Sequence, residues 1–210
     1  MTRQIIREPR WPAFVAMLAA GCLYWSLPEP LSVGPSWLLA LVVAILLVPM
    51  TVSYQSGAFH VTRILTFITN GAITMSMIAS LTFLIQGIPE HREAPLVLLR
   101  SAVALWITNV LVFALWYWKL DGGGPMERED RRERLQSSFV FPQMAVQGNQ
   151  DESWSPQFVD YLFLAFNTST AFSPTDTAVL SRWAKLGMML QSLISLSIVA
   201  VLAARAVNIL

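Results

Sequence analysis

Of 210 residues, 55% are hydrophobic and only 13% are charged, and 14 Lys and Arg against 13 Asp and Glu leave a formal net charge of +1. That charged share is about half of what a soluble globular domain carries, which excludes a soluble enzyme, and the near-neutral balance excludes nucleic-acid binding through a broad basic surface. The single cysteine, Cys22, excludes an intramolecular disulfide and any CxxC metal or redox motif.

Apolar stretches long enough to cross a ~30 Å hydrocarbon core recur along the chain. The first, residues 11–27, follows Arg3, Arg7 and Arg10 and contains "LAAGC", which has the look of a cleavage region. Ala19 stands three positions before Cys22 where a large aliphatic residue belongs, and "LYW" carries the apolar run onward, so the stretch is expected to be a first span. Further spans are expected at 36–54, 64–88 and 95–118, all helical because an isolated strand would leave its backbone unpaired in lipid. Six of the eight tryptophans, namely Trp11, Trp25, Trp37, Trp116, Trp118 and Trp183, fall at proposed span ends, as an aromatic belt requires.

Residues 119–157 form the one long polar linker. It opens with "KLDGGGP", whose glycines and proline end a helix. "MEREDRRERLQ" reads as a solvated face, "FVFPQM" as an apolar patch at the interface, and "QGNQDESWSPQ" as loop. Two more spans follow at 158–174 and 183–210. The first of these reaches ~25 Å at ~1.5 Å per residue and is expected to cross, ending in a polar turn at Ser173, Pro174, Thr175 and Asp176. A re-entrant pore helix is the alternative. The fold expected is therefore all-α: one integral membrane domain over residues 1–210, a polytopic transmembrane bundle of six helices with consecutive spans antiparallel.

With six crossings, ten Lys and Arg fall on one face and four on the other. Because basic residues concentrate on the cytoplasmic side, both termini and the linker are expected inside the cell, in a bacterial cytoplasmic membrane.

Polar residues within the spans are one-sided. Thr62, Thr66, Thr69, Ser76 and Ser80 occupy an arc of about 80° with Asn70 beside it, and Gln191, Ser195, Arg205 and Asn208 occupy another of about 80°. Such residues either hydrogen-bond across helices or line a cavity shared by the third and sixth spans. Arg205 has a second account in snorkelling to the interface, and Asp160 in the dipole at a helix N-terminus. Neither His60 nor His91 has a partner at ligand spacing, so no metal or other cofactor is expected. Serine nucleophiles lack a GxSxG turn.

From Phe158 onward, "FVDYLFLAFNTSTAFSPTDTAVLSRWAKLGMMLQSLISLSIVAVLAARAVNIL" resembles the pore helix, filter and inner helix of two-helix bacterial potassium channels. Phe158, Asp160, Phe166, Thr168, Thr170, Asp176, Lys185 and Arg205 take the corresponding places, while Ser173, Pro174 and Thr175 stand where that family has Gly, Tyr and Gly. Without those glycines a potassium-selective ring of carbonyls is not expected. A pore loop entered from outside would also reverse the charge bias. Across most of its length, with "DGGGP", "FVFPQ" and "FSPTDTAVLSR", the chain resembles a family of bacterial integral membrane proteins known only as a domain of unknown function. The potassium-channel resemblance implies passage of an ion or small solute through the Thr168 to Asp176 region of a homo-oligomer, a tetramer if channel-like. The candidate residues are Asp160, Asn167, Thr168, Thr170, Ser173, Thr175 and Asp176, with Asn70, Gln191, Ser195 and Arg205 as further polar-cavity candidates. A non-conducting membrane scaffold or interaction protein is the other reading, with the lipid bilayer as partner in either case.

Overall fold

The computed structural model of the chain describes residues 8–56, 59–87, 95–125, 128, 137–146, 154–173 and 176–207. Among these residues there are seven α-helices: α1 (Trp11–Trp25), α2 (Trp37–Gln55), α3 (Phe59–Gln86), α4 (Pro95–Leu120), the short α5 (Pro142–Val146), α6 (Phe158–Thr170) and α7 (Arg182–Val207). Two short strands, β1 (Phe139–Val140) and β2 (Ala178–Val179), complete the elements. Proline begins or nearly begins α1 and α4, at positions whose missing N–H has no helical partner to lose. Three helical segments, His60–Gln86, Leu96–Gly123 and Arg182–Ala204, are long and apolar enough to cross a membrane, while α1 and α2 are apolar but shorter.

The helix α4 is the centre of the bundle. It packs against α1 and α3 on one flank and against α6 and α7 on the other. Ala102, Leu105, Asn109, Val112, Ala114 and Tyr117 are among its buried residues. On the first flank α1 and α2 approach closely at Gly21, where a Cβ would lie 3.2 Å from Ala40 Cα. Tyr24 fixes the connection between them by accepting the Val33 N–H at 2.6 Å. After α4 the chain reverses through Gly122, Gly123 and Gly124, all at positive φ, a conformation glycine adopts without a Cβ clash.

Side-chain pairings set the direction of the last two helices. Phe158 meets Trp118 edge-on at 5.9 Å and Phe166 meets Trp106 at 5.8 Å, so α6 runs antiparallel to α4. Tyr117 and Trp106 bond Gln191 and Ser195, so α7 also runs antiparallel to α4. Gln191 then bonds the Ala165 carbonyl and Ser195 the Ser169 carbonyl, which makes α6 and α7 parallel. Between them the chain must return to the end at which α6 began. There β2 pairs antiparallel with β1, Phe139 opposite Val179, and Trp183 meets Phe139 edge-on at 5.9 Å.

This differs from the expected fifth span. A helix continuing to Pro174 and antiparallel to its successor is replaced by one that ends at Thr170, spans 13 residues and reaches about 20 Å, short of a hydrocarbon core. Residues 174 and 175 lie outside the described residues. The linker differs too. Phe139 and Phe141 are buried, and Phe139 sits among Tyr117, Tyr161 and Trp183, so "FVFPQ" closes one end of the bundle from within. Aromatic burial there outweighs the polarity of the surrounding sequence.

The contact at Gly21 makes a prediction. Gly21→Val forces α1 and α2 apart and is expected to cost about 1–3 kcal/mol, whereas nothing stands within 4 Å of a Cβ at Gly71. Thermal unfolding in detergent should therefore show a lower midpoint for Gly21→Val than for Gly71→Val.

Candidate functional site

Two buried polar clusters hold α6 in place, one near its C-terminal end and one near its start. The inner cluster joins α4, α6 and α7. Gln191 Nε2 donates to the Ala165 carbonyl at 2.7 Å and to Ser169 Oγ at 2.8 Å, while Gln191 Oε1 accepts the Tyr117 hydroxyl at 2.7 Å. Ser195 donates to the Ser169 carbonyl at 2.7 Å and accepts Trp106 Nε1 at 3.1 Å. Ser192 reaches the Thr168 carbonyl at 3.4 Å, and Asn109 Nδ2 reaches Ser169 Oγ at 3.4 Å and the Gln191 carbonyl at 3.3 Å. The last carbonyls of a helix have no partner within it; here Thr168 and Ser169 receive theirs from α7, and Asn167 from the Ala171 N–H at 2.8 Å.

The outer cluster is charged. The Asp121 carboxylate is fully buried and accepts the Ser138 N–H at 2.5 Å, the Ser137 hydroxyl at 2.9 Å and the Tyr161 hydroxyl at 2.6 Å. Arg128 donates to the Trp118 and Asp121 carbonyls at 2.8 and 2.7 Å and to Glu8 Oε2 at 3.2 Å, with its guanidinium 5.2 Å over the Tyr161 ring. Trp118 Nε1 donates to the other Glu8 oxygen. One arginine thus ties together the start of α1, the end of α4, the linker and the start of α6. Asp160 stands nearby in a capping box with Gln157, its Oδ2 accepting the Gln157 N–H at 2.7 Å.

The expected site residues separate into groups. Gln191 and Ser195 meet the end of α6, where Thr168 is buried and bonds back to the Leu164 carbonyl at 2.8 Å. Asn167 is half-buried and bonds the Phe163 carbonyl, and the exposed Thr170 bonds the Phe166 carbonyl. Ser173 and Asp176 are exposed on the return segment, and Thr175 lies outside the described residues. Arg205 is in the last turns of α7, and its side chain and Asn208 lie outside the described residues. Asn70 is buried on α3, its Oδ1 without a hydrogen-bond partner among the described residues.

Among the described residues, Asn70 and Gln191 do not meet across a shared cavity. Adjacent residues of α4 divide the two sides: Trp116 bonds Thr74 of α3 at 3.0 Å, while Tyr117 bonds Gln191 of α7. Among the described residues, no group of three His, Cys, Asp or Glu side chains is placed to hold a metal ion.

Sequence reasoning missed Asn109, Tyr117, Ser169, Glu8, Asp121 and Arg128. A signal existed for Asn109, the one carboxamide in the span at 95–118, and for Asp121, an acid set against three glycines. No family model matches the chain, and neither a curated protein nor a solved structure is similar to it.

Both clusters predict stability effects. Gln191→Leu strands the buried Tyr117 hydroxyl and removes one donor to Ser169, and is expected to cost about 1–3 kcal/mol, whereas Leu193→Ile on the exposed face should leave the unfolding midpoint unchanged. Arg128→Met removes the buried ion pair with Glu8 and the donors to the Trp118 and Asp121 carbonyls, and is expected to cost about 3–5 kcal/mol. Adding Glu8→Gln should restore part of that loss, measured by the same melt.

Proposed function

We propose that the chain is a multi-pass protein of the bacterial cytoplasmic membrane, crossed by α1 to α4 and α7, in which α6 is re-entrant and the return segment lines a water-filled path for small cations. One observation carries this reading. Thr170, Ala171, Phe172, Ser173 and Asp176 are exposed, beginning where α6 ends about 20 Å from its start. Irregular polar backbone at that depth is tolerated only where protein buries it or water wets it.

The charge distribution supports the same topology. Arg182 and Lys185, which six crossings would put on the far face, lie at the end of the bundle that holds Lys119 and Arg128. Moving these two to the first face and Arg205 to the second turns ten against four into eleven against three. Five crossings then leave the termini on opposite faces, with the linker and the mouth of the re-entrant loop cytoplasmic. The earlier conflict between a pore loop and the charge bias disappears, because a loop entered from inside agrees with the bias.

Cations suit the path better than anions. A half-helix that ends at depth presents the negative end of its dipole there, and Asp176 adds an exposed carboxylate on the return limb. Selection between potassium and sodium is expected to be weak, since Ser173, Pro174 and Thr175 occupy the place of a glycine-based ring. The scaffold reading draws on a different observation: the Thr168 and Ser169 carbonyls are already bonded within the chain and offer no free ligands.

Topology and conduction are tested separately. In a Cys22→Ser background, Glu29→Cys should react with a membrane-impermeant maleimide in intact cells, while Ser155→Cys and Leu180→Cys should react only after permeabilisation. Ser155 and Leu180 on opposite faces would mean that α6 crosses. Purified protein in liposomes should pass potassium and sodium at similar rates, and Asp176→Asn should lower both several-fold. Flux equal to that of empty liposomes for both cations leaves the scaffold reading.

A further inference from the structure

We propose that the end of the bundle where α1, α3 and α4 converge binds the anionic headgroup of a phospholipid, with Lys119 at the centre of the site and Arg10 and Arg63 beside it. The inference needs these helices to cross the bilayer, as proposed above, and is independent of conduction. Four cations from four segments gather there: Arg10 precedes α1, Arg63 lies one turn into α3, Lys119 is in the last turn of α4, and Arg128 belongs to the linker. The guanidinium groups of all three arginines act on the Lys119 ammonium. Glu8 and Asp121 stand at the same end, but Glu8 is engaged by Arg128 and Trp118, and Asp121 by Ser137, Ser138 and Tyr161. Among the described residues, the Lys119 ammonium has no hydrogen-bond or ion-pair partner.

Burial separates this cluster from the ordinary fringe of cytoplasmic cations. Arg10 is buried and Lys119 half-buried, so their charges are partly withdrawn from water, and cations gathered in that setting favour an anion among them. A phosphate fits these donors, because a guanidinium offers it paired N–H groups and an ammonium a point charge. Depth in the membrane selects its source. Lys119 lies near the end of the apolar segment Leu96–Gly123 and Arg63 near the start of His60–Gln86, which sets both at the headgroup layer. Trp11, next to Arg10, is 66% exposed, as an indole at that layer is. Lipid phosphates already occupy the layer, and basic pockets between helices on the cytoplasmic side take such headgroups.

The test titrates the full-length protein in neutral detergent with phosphatidylglycerol, phosphatidylcholine or inorganic phosphate, reading bound lipid by native mass spectrometry and the unfolding midpoint by heating. Phosphatidylglycerol should bind in preference to phosphatidylcholine and raise the midpoint. Lys119→Gln should weaken that binding about five-fold, and adding Arg63→Gln about five-fold again, whereas Lys119→Arg keeps the charge and should retain most of it. Arg182→Gln with Lys185→Gln removes two exposed cations from the same end and should change little. An equal loss in that pair means diffuse attraction to a charged surface and overturns the proposal. So does a midpoint raised by inorganic phosphate but not by phosphatidylglycerol, which makes the site one for a soluble anion. If wild type ignores phosphatidylglycerol while Lys119→Gln lowers the midpoint without lipid, a carboxylate of the chain is the partner and the proposal falls. Protein that fails to insert into phosphatidylcholine nanodiscs removes the crossing premise itself; protein that inserts without preferring phosphatidylglycerol removes the lipid site alone.

Discussion

A helix that stops short beside longer neighbours has a problem: its final carbonyls have no partner in a following turn. The fold of the C-terminal half is organised around that constraint. Ser192 and Ser195 of α7 supply hydroxyls to the Thr168 and Ser169 carbonyls, and Gln191 reaches one turn further back to Ala165. These donors recur on one face of α7 because residues three and four apart share a face. Their geometry works only if α6 and α7 run side by side in the same direction, so the return of the chain follows from how the end of α6 is satisfied.

The other end of α6 is fixed by charge. Asp121 follows α4 directly and receives the Tyr161 hydroxyl from α6 and the Ser138 N–H from the strand β1. Arg128 crosses from the linker to Glu8 and to two carbonyls at the end of α4. A buried ion pair of this kind adds less net stability than its Coulomb attraction suggests, because both partners were desolvated. Its effect is positional: it holds the linker against the mouth of the helix pair, where Phe139 fills the space between Tyr117, Tyr161 and Trp183.

Hydrophobic runs made the long helices legible in the sequence, and α3, α4 and α7 fall close to the expected spans. The polar residues Asn70, Gln191 and Ser195 are buried, as one-sided polarity suggested. Two things were not legible. Length and hydropathy do not encode direction, so residues 158–174 looked like a crossing; the parallel course depends on pairings such as Gln191 with Ala165 that no local pattern contains. The linker looked solvated because its charges are written in a run, whereas Arg128 is buried only through partners at Glu8 and Trp118, distant or outside that run. Asn70 and Gln191 shared a polar character without sharing a location, since α4 stands between them.

The parallel pairing of α6 with α7 also dictates an order of assembly. The donors that α7 supplies to the end of α6 lie 22 to 26 residues later in the chain, so α6 is synthesised before any of them exists. Its contacts with Trp106, Trp118 and Asp121 are with residues already made, whereas the Thr168 and Ser169 carbonyls receive their partners only when α7 has followed. The α6–α7 contacts close short loops, whereas Tyr117 to Gln191 and Trp106 to Ser195 close loops of 74 and 89 residues. Shorter closures cost less chain entropy. The end of α6 is therefore completed only once α7 has followed it into place.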